Sequence, residues 1–225
     1  MDNKSLSTPQ SQVSESGFLS KVYFWMSFGL FVSAGASLWL LTQETLLKAI
    51  FGNQWIFLGL VLAELGLVIW LSAAMRSMSA SMAGMLFTVY AFLNGLTLTS
   101  ILLIYTGASV LSTFAITSGT FLFFSVYGAT TKKDLTSMGS ILMMGLFGII
   151  IASVVNLFLH SSGLMWAITF IGVAVFMGLI AYDTQKLKAL YASGFQNPIF
   201  GALTLYLDFI NLFLLLLRVF GRRRD

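Results

Sequence analysis

The chain has 225 residues, of which 58% are hydrophobic and only 9% charged, where a soluble domain carries roughly a quarter charged. Lipid is therefore the solvent this fold is built for, and the lipid bilayer is its first partner. The absence of cysteine and the presence of one histidine, His160, exclude disulfides, thiolate nucleophiles, sulfur-ligated metals and His-cluster metal sites. The net charge of +4 does not point to nucleic acid, because the basic residues flank apolar segments, where they set membrane orientation.

In chain order, residues 1–20 form a polar tail, Ser/Gln-rich from Met1 to Gly17, which is expected to stay disordered in water. The apolar run that follows is too long for a signal peptide and has no evident cleavage site, so it stays as the first span. At about 20 apolar residues per crossing, the spans are Val22–Leu41, Trp55–Met75, Ala80–Tyr105, Ala108–Tyr127, Met138–Leu159, Leu164–Tyr182 and Pro198–Leu217. They make residues 21–218 an all-α integral membrane domain, followed by a basic tail over 219–225.

The short Tyr105–Ala108 join predicts a tight antiparallel hairpin between the third and fourth spans. Gly145, Gly148, Ala152 and Asn156 share a face of the fifth span, which is expected to pack closely on another helix. Pro198 suits the first turn of the last helix, where its missing N–H has no partner to lose. His160, at the end of the fifth span, is expected on the surface.

Lys4, Lys21, Arg76, Lys132, Lys133, Lys186 and Lys188 all fall on one side of alternating spans, which makes that side and the N-terminus cytoplasmic. The tail Arg218, Arg222, Arg223 and Arg224 breaks this pattern, because seven crossings place it outside. A crossing is nonetheless favoured over a re-entrant segment, since Pro198–Leu217 is long enough to span as a helix and a re-entrant backbone needs protein partners at depth.

Asp208 lies about ten residues, or about 15 Å, into the last span. A lone charge there costs about 3 kcal/mol on insertion scales, so it must be partnered, protonated or hydrated. Gly201, Thr204, Asp208 and Asn211 form one small and polar stripe, which suits a helix at the bundle's centre. Asp183 is placed at the cytoplasmic end of the sixth span, before a connection of about fifteen residues, and consecutive spans bring the two carboxylates within reach of each other. Two adjacent carboxyls cannot both ionise cheaply and would share a proton; the alternative for Asp183 is a water-exposed pair with Lys186 or Lys188. Glu64, deep in the second span, is either pathway lining or structural glue. Arg76 is either an anchor or a counter-ion to the aspartates, and Asn94 and Asn156 are polar groups suited to bonding between helices.

Glu64, Arg76, Phe92-Leu-Asn-Gly-Leu-Thr-Leu98, Lys132-Lys-Asp-Leu135, Tyr182-Asp183 and above all Leu205-Tyr-Leu-Asp-Phe-Ile-Asn-Leu-Phe213 resemble the bacterial branch of the Bax inhibitor-1, or transmembrane Bax inhibitor motif, family from about Lys21 to Arg218. The resemblance implies seven helices, the last central and surrounded by the other six as three antiparallel pairs. It also implies a pH-sensitive calcium leak in the inner membrane, gated by Asp183 and Asp208 with Arg76 as latch. Glu64, Asn94, Thr204 and Asn211 are then candidate pathway residues. Calcium would be a permeant ion touching Asp183 and Asp208, with no resident cofactor.

Two other classes are weighed against the leak. The paired aspartates resemble those of presenilin-type proteases, but Asp208 follows Leu205-Tyr-Leu rather than Gly-x-Gly and no Pro-Ala-Leu motif occurs, so no enzyme is expected. A modulator of a membrane-bound ATP-dependent protease, held through the N-terminal tail, is the other alternative.

Overall fold

The computed structural model of the chain describes residues 9–74 and 77–224, with side chains from residue 15 onward. Among these residues are eight helices: α1 (Pro9–Leu41), α2 (Glu44–Phe51), α3 (Gln54–Ala74), α4 (Ala80–Ile104), α5 (Gly107–Thr130), α6 (Thr136–Leu159), α7 (Ser162–Ala192) and α8 (Pro198–Phe220). All but α2 are long and apolar enough to cross a membrane. Helices are the form such sequences must take, because lipid offers backbone N–H and C=O groups no alternative partner. The ends are satisfied locally: Ser79, Thr106, Ser161 and Asn197 each accept a backbone N–H of the turn they open, and Pro198 occupies the first turn of α8. His160 ends α6 in the left-handed conformation, exposed as expected.

The boundaries differ from the sequence expectation in three places. Part of the N-terminal tail is helical: α1 begins at Pro9, Phe18 stacks on Tyr191 with ring centroids 4.9 Å apart, and Glu15 pairs with Lys188 at 3.1 Å. These partners are distant in sequence, so local polarity gives no sign of them; residues 1–8 lie outside the described residues. Helix α7 continues past Tyr182 to Ala192, because its final turns are amphipathic, with Leu187 buried and Lys186 outward. The supposed fifteen-residue connection is thereby reduced to residues 193–197, and Asp183 lies inside the helix, not at its end. Helix α2, carrying an exposed Glu44–Lys48 pair at 3.3 Å, is a short amphipathic segment below spanning length.

Helix α8 is central, buried at most positions from Ile199 to Leu217. Its wall consists of α1, α4, α5 and α7, while α3 rests mainly on α4 and α6 on α7. Four of the six other spans thus enclose it and two form an outer layer that leaves side chains such as Leu157 and Phe158 open to lipid. Three antiparallel pairs do not account for the arrangement: α3 pairs with α4 and α6 with α7, but α1 packs chiefly on α4 and α8, and it runs parallel to α4, since Ser33 bonds to Ala91 O, and Ser37, four residues on, to Gly95 O. The expected α4–α5 hairpin also does not close. The two helices are joined by Tyr105 and Thr106, yet they diverge along their length, because α8 contacts both and its C-terminal segment bonds to the join. On α6, Gly145 packs on Val175, but Gly148 is open, so the packed face is rotated from the expected stripe. Asn156 caps the following turn by accepting the Ser161 N–H instead of reaching another helix.

Candidate functional site

Asp208 sits at the middle of α8, buried, and its Oδ2 meets no hydrogen-bond donor among the described residues. Helices α7 and α8 are packed antiparallel, with Leu215 over Gly172 at one end and Leu187 over Gly201 at the other. That register brings the Asp183 carboxyl against the Asp208 carboxyl, within hydrogen-bonding reach once one of them holds a proton. Lys186 Nζ stands 4.0 Å from Asp183 Oδ1, and the Asp183 side chain keeps 13% exposure. Asp183 is therefore the water-side member of the pair and Asp208 the sealed one. Lys186 also lies 5.4 Å from the Tyr182 ring centroid.

Beside Lys186 a cleft of about 440 Å³ opens between Lys132, Lys133, Asp134, Tyr182 and Gln185. Gln185 fixes one wall by accepting the Leu135 N–H and donating to Lys133 O. Thr136 holds the exposed Asp134 carboxyl below the usual carboxylate range, through its hydroxyl and through its N–H at 2.9 Å. Lys188 does not join the pair; it donates to Ala129 O and meets Glu15. Arg76, the expected latch, lies outside the described residues.

Glu64 and Asn94 come together in a second cluster, around another side of α8. Asn94 donates to one Glu64 carboxyl oxygen and Thr97 to the other. Asn94 Oδ1 accepts from the Tyr206 hydroxyl at 2.7 Å, and Tyr206 meets Ser33 at 2.7 Å. This chain ties α3, α4, α8 and α1. Thr204 and Asn211 are half-buried and donate to carbonyls of α8 itself, Phe200 and Leu207. The expected stripe is thus a stripe of position, in which Asp208 alone faces another ionisable group.

Among the described residues no group of three or more His, Cys, Asp or Glu could hold a metal. The pair offers a cation two carboxylates, whereas calcium takes six to eight oxygens.

Residues 15–225 match the family described as inhibitor of apoptosis-promoting Bax1. The chain belongs to the Bax inhibitor-1 family. Among similar proteins, the inner membrane protein YbhL of Escherichia coli K12 is 48% identical over 215 residues, covering 92% of each chain. A protein of Borreliella burgdorferi is 47% identical over 92% of this chain and 93% of its own. A membrane protein of Streptococcus pyogenes is 36% identical over 95% and 96%. The Bax inhibitor-1 match takes in all seven spanning helices, so both polar clusters lie within the family region of a multi-pass membrane protein.

Five hydrogen-bonding residues of this Bax inhibitor-1 family chain are not evident from its sequence. Tyr206 is visible only as an aromatic in a leucine-rich run, although a buried tyrosine needs a partner for its hydroxyl. Ser33 carries no signal, because small hydroxyls commonly bond their own helix. The Tyr23–Ser125–Thr184 chain, at 2.6 and 3.1 Å, joins α1, α5 and α7 beside Asp183 and is equally silent in sequence.

Proposed function

We propose that this protein is a pH-sensitive calcium leak of the bacterial inner membrane, gated by Asp183 and Asp208. The supporting observation is the sealed Asp208 carboxyl, mid-helix with no donor at its Oδ2 among the described residues, facing a second carboxyl that has an outlet to water. Two carboxylates in a poorly solvated site repel strongly, so the number of protons on the pair sets how firmly α7 and α8 stay together. With one proton shared, a hydrogen bond joins the helices and Lys186 steadies the charge on Asp183. A different proton count changes that hold, and parting the two helices would open the tight contacts of Leu187 with Gly201 and Leu215 with Gly172. Calcium arriving from the Asp183 side competes with protons for the same oxygens. Arg76 is assigned as a further cation acting on the pair.

A gate is preferred to a hydrolytic dyad because the sequence around Asp208 lacks the Gly-x-Gly-Asp motif.

The test is calcium entry into liposomes containing the purified protein and an internal calcium indicator. Wild type is expected to exceed protein-free vesicles, and Asp183→Asn with Asp208→Asn to change the rate severalfold. Flux that is the same in wild type and the double variant would remove the pair from the mechanism. A variant lacking residues 1–8 is expected to keep the flux; loss of flux on that deletion would instead favour a role built around the N-terminal segment.

A further inference from the structure

The four arginines near the C-terminus, Arg218, Arg222, Arg223 and Arg224, have no part in the proposed gate and run against the charge pattern that orients the other spans. Their placement is nevertheless defined. Arg218 donates to Thr169 at the start of α7. Beyond it the backbone is paired along the α4–α5 join: Thr106 N–H donates to Arg222 O at 3.0 Å, Arg224 N–H to Ile104 O at 2.8 Å, and Arg222 N–H to Ser109 Oγ at 3.0 Å. The Tyr105 ring covers Gly221 so closely that a Cβ there would lie 2.6 Å from it.

This pairing leaves a cleft of about 420 Å³ between the arginines and Thr106, Ser109 and Ser112. Arg222, Arg223 and Arg224 are exposed, and none has an ion-pair partner among the described residues. Around them Ile104, Leu111 and Phe220 are 47%, 71% and 55% exposed. The site lies at the C-terminal end of α8, about 18 Å along the helix from Asp208.

We propose that this cleft binds the phosphate of an anionic phospholipid from the leaflet at that end of the bundle. Guanidinium groups fork onto phosphate oxygens and are weakly hydrated, which suits a headgroup at the membrane surface. The exposed apolar side chains beside the arginines are where acyl chains attached to that phosphate would lie; a free anion has no use for them. The fixed backbone spaces the guanidiniums as one site, and each basic residue near the surface adds attraction for anionic lipid.

The full chain, purified in neutral detergent, is offered phosphatidylglycerol, phosphatidylcholine or inorganic phosphate, and retained lipid is measured by native mass spectrometry beside the melting temperature. Wild type is expected to retain phosphatidylglycerol over phosphatidylcholine by about tenfold or more. Arg222→Gln, Arg223→Gln and Arg224→Gln together are expected to abolish the preference, and Arg223→Gln alone to lower it severalfold. Lys132→Gln with Lys133→Gln, which removes charge at the other end of the bundle, is expected to keep it. Equal retention of the two lipids by wild type, or an undiminished preference in the arginine variants, overturns the proposal. So does a loss of preference in the lysine variant matching theirs. A melting-temperature rise reproduced by inorganic phosphate alone would make this a free-anion site and overturn the lipid assignment.

Discussion

Tyr206 and Asp208 are two residues apart on α8, and at about 100° per residue they point to different sides of the helix. One closes a hydrogen-bonded chain to Asn94 and Ser33; the other faces a carboxyl. Removing the Tyr206 hydroxyl strands Asn94 Oδ1, whereas Ser33 keeps its bonds to Gly29 O and Ala91 O. Tyr206→Phe is therefore expected to destabilise the protein by about 1 kcal/mol, the scale of hydrogen bonds between membrane helices. Unfolding in mixed detergent–denaturant micelles measures it, and an unchanged midpoint would show the chain to be energetically idle. Asp208 was legible from depth alone, since a charge in mid-span demands an explanation. Asp183 was legible as its partner from the packing of consecutive spans, but its place inside the helix was not, because that depends on how far α7 continues. Tyr206 and Ser33 stay hidden because their partners lie on other helices and no local pattern announces them.

At the scale of elements, contact between helices is set by glycines that admit a neighbour's backbone. Gly128 of α5 lies against Ala181 of α7, where a Cβ would collide with the Ala181 carbonyl oxygen and Cα. Gly128→Ala is expected to cost about 1–3 kcal/mol through overpacking. Gly119→Ala, on the same helix with nothing within 4 Å, is expected to be neutral or slightly stabilising. Equal melting temperatures for the two variants would contradict this packing. The α6 start carries a pH dependence of its own: the Asp134 carboxyl lies below its ordinary value because Thr136 bonds its charged form. That contribution is complete above the ordinary carboxyl range and is lost as pH falls through the folded value. Seven spans were legible because apolar length is what a bilayer selects. The extension of α7, an amphipathic segment, and the helical start of α1, a polar one, were not, because contacts distant in sequence such as Phe18 on Tyr191 hold them. The α4–α5 hairpin failed because a third helix, α8, occupies the space between its arms.

For the whole molecule, the C-terminal segment and the α4–α5 join share one end of the bundle, and Asp134 belongs to the loop after α5. The Lys and Arg pattern of the sequence predicts a cytoplasmic N-terminus, which would put that end outside and the α5–α6 loop inside. The chain contains no cysteine, so an introduced one reports cleanly. In intact spheroplasts, Arg224→Cys is expected to react with a membrane-impermeant maleimide, and Asp134→Cys only after permeabilisation; the reverse pattern would invert the orientation. The central position of α8 follows from its sequence, which is apolar almost all round with one polar stripe. Which helices enclose it does not, since α1–α4 contact rests on tertiary bonds such as Ser37 to Gly95 O. The direct test of the gate is calcium flux against pH, from mildly acidic to neutral, for wild type and Asp208→Asn in the same liposome preparation. The asparagine can still donate a hydrogen bond to Asp183, so the fold is kept while the shared proton is removed. The proposed mechanism predicts a wild-type flux that changes with pH and a variant flux that is flat or shifted to a single-group titration; identical profiles for the two proteins would contradict it.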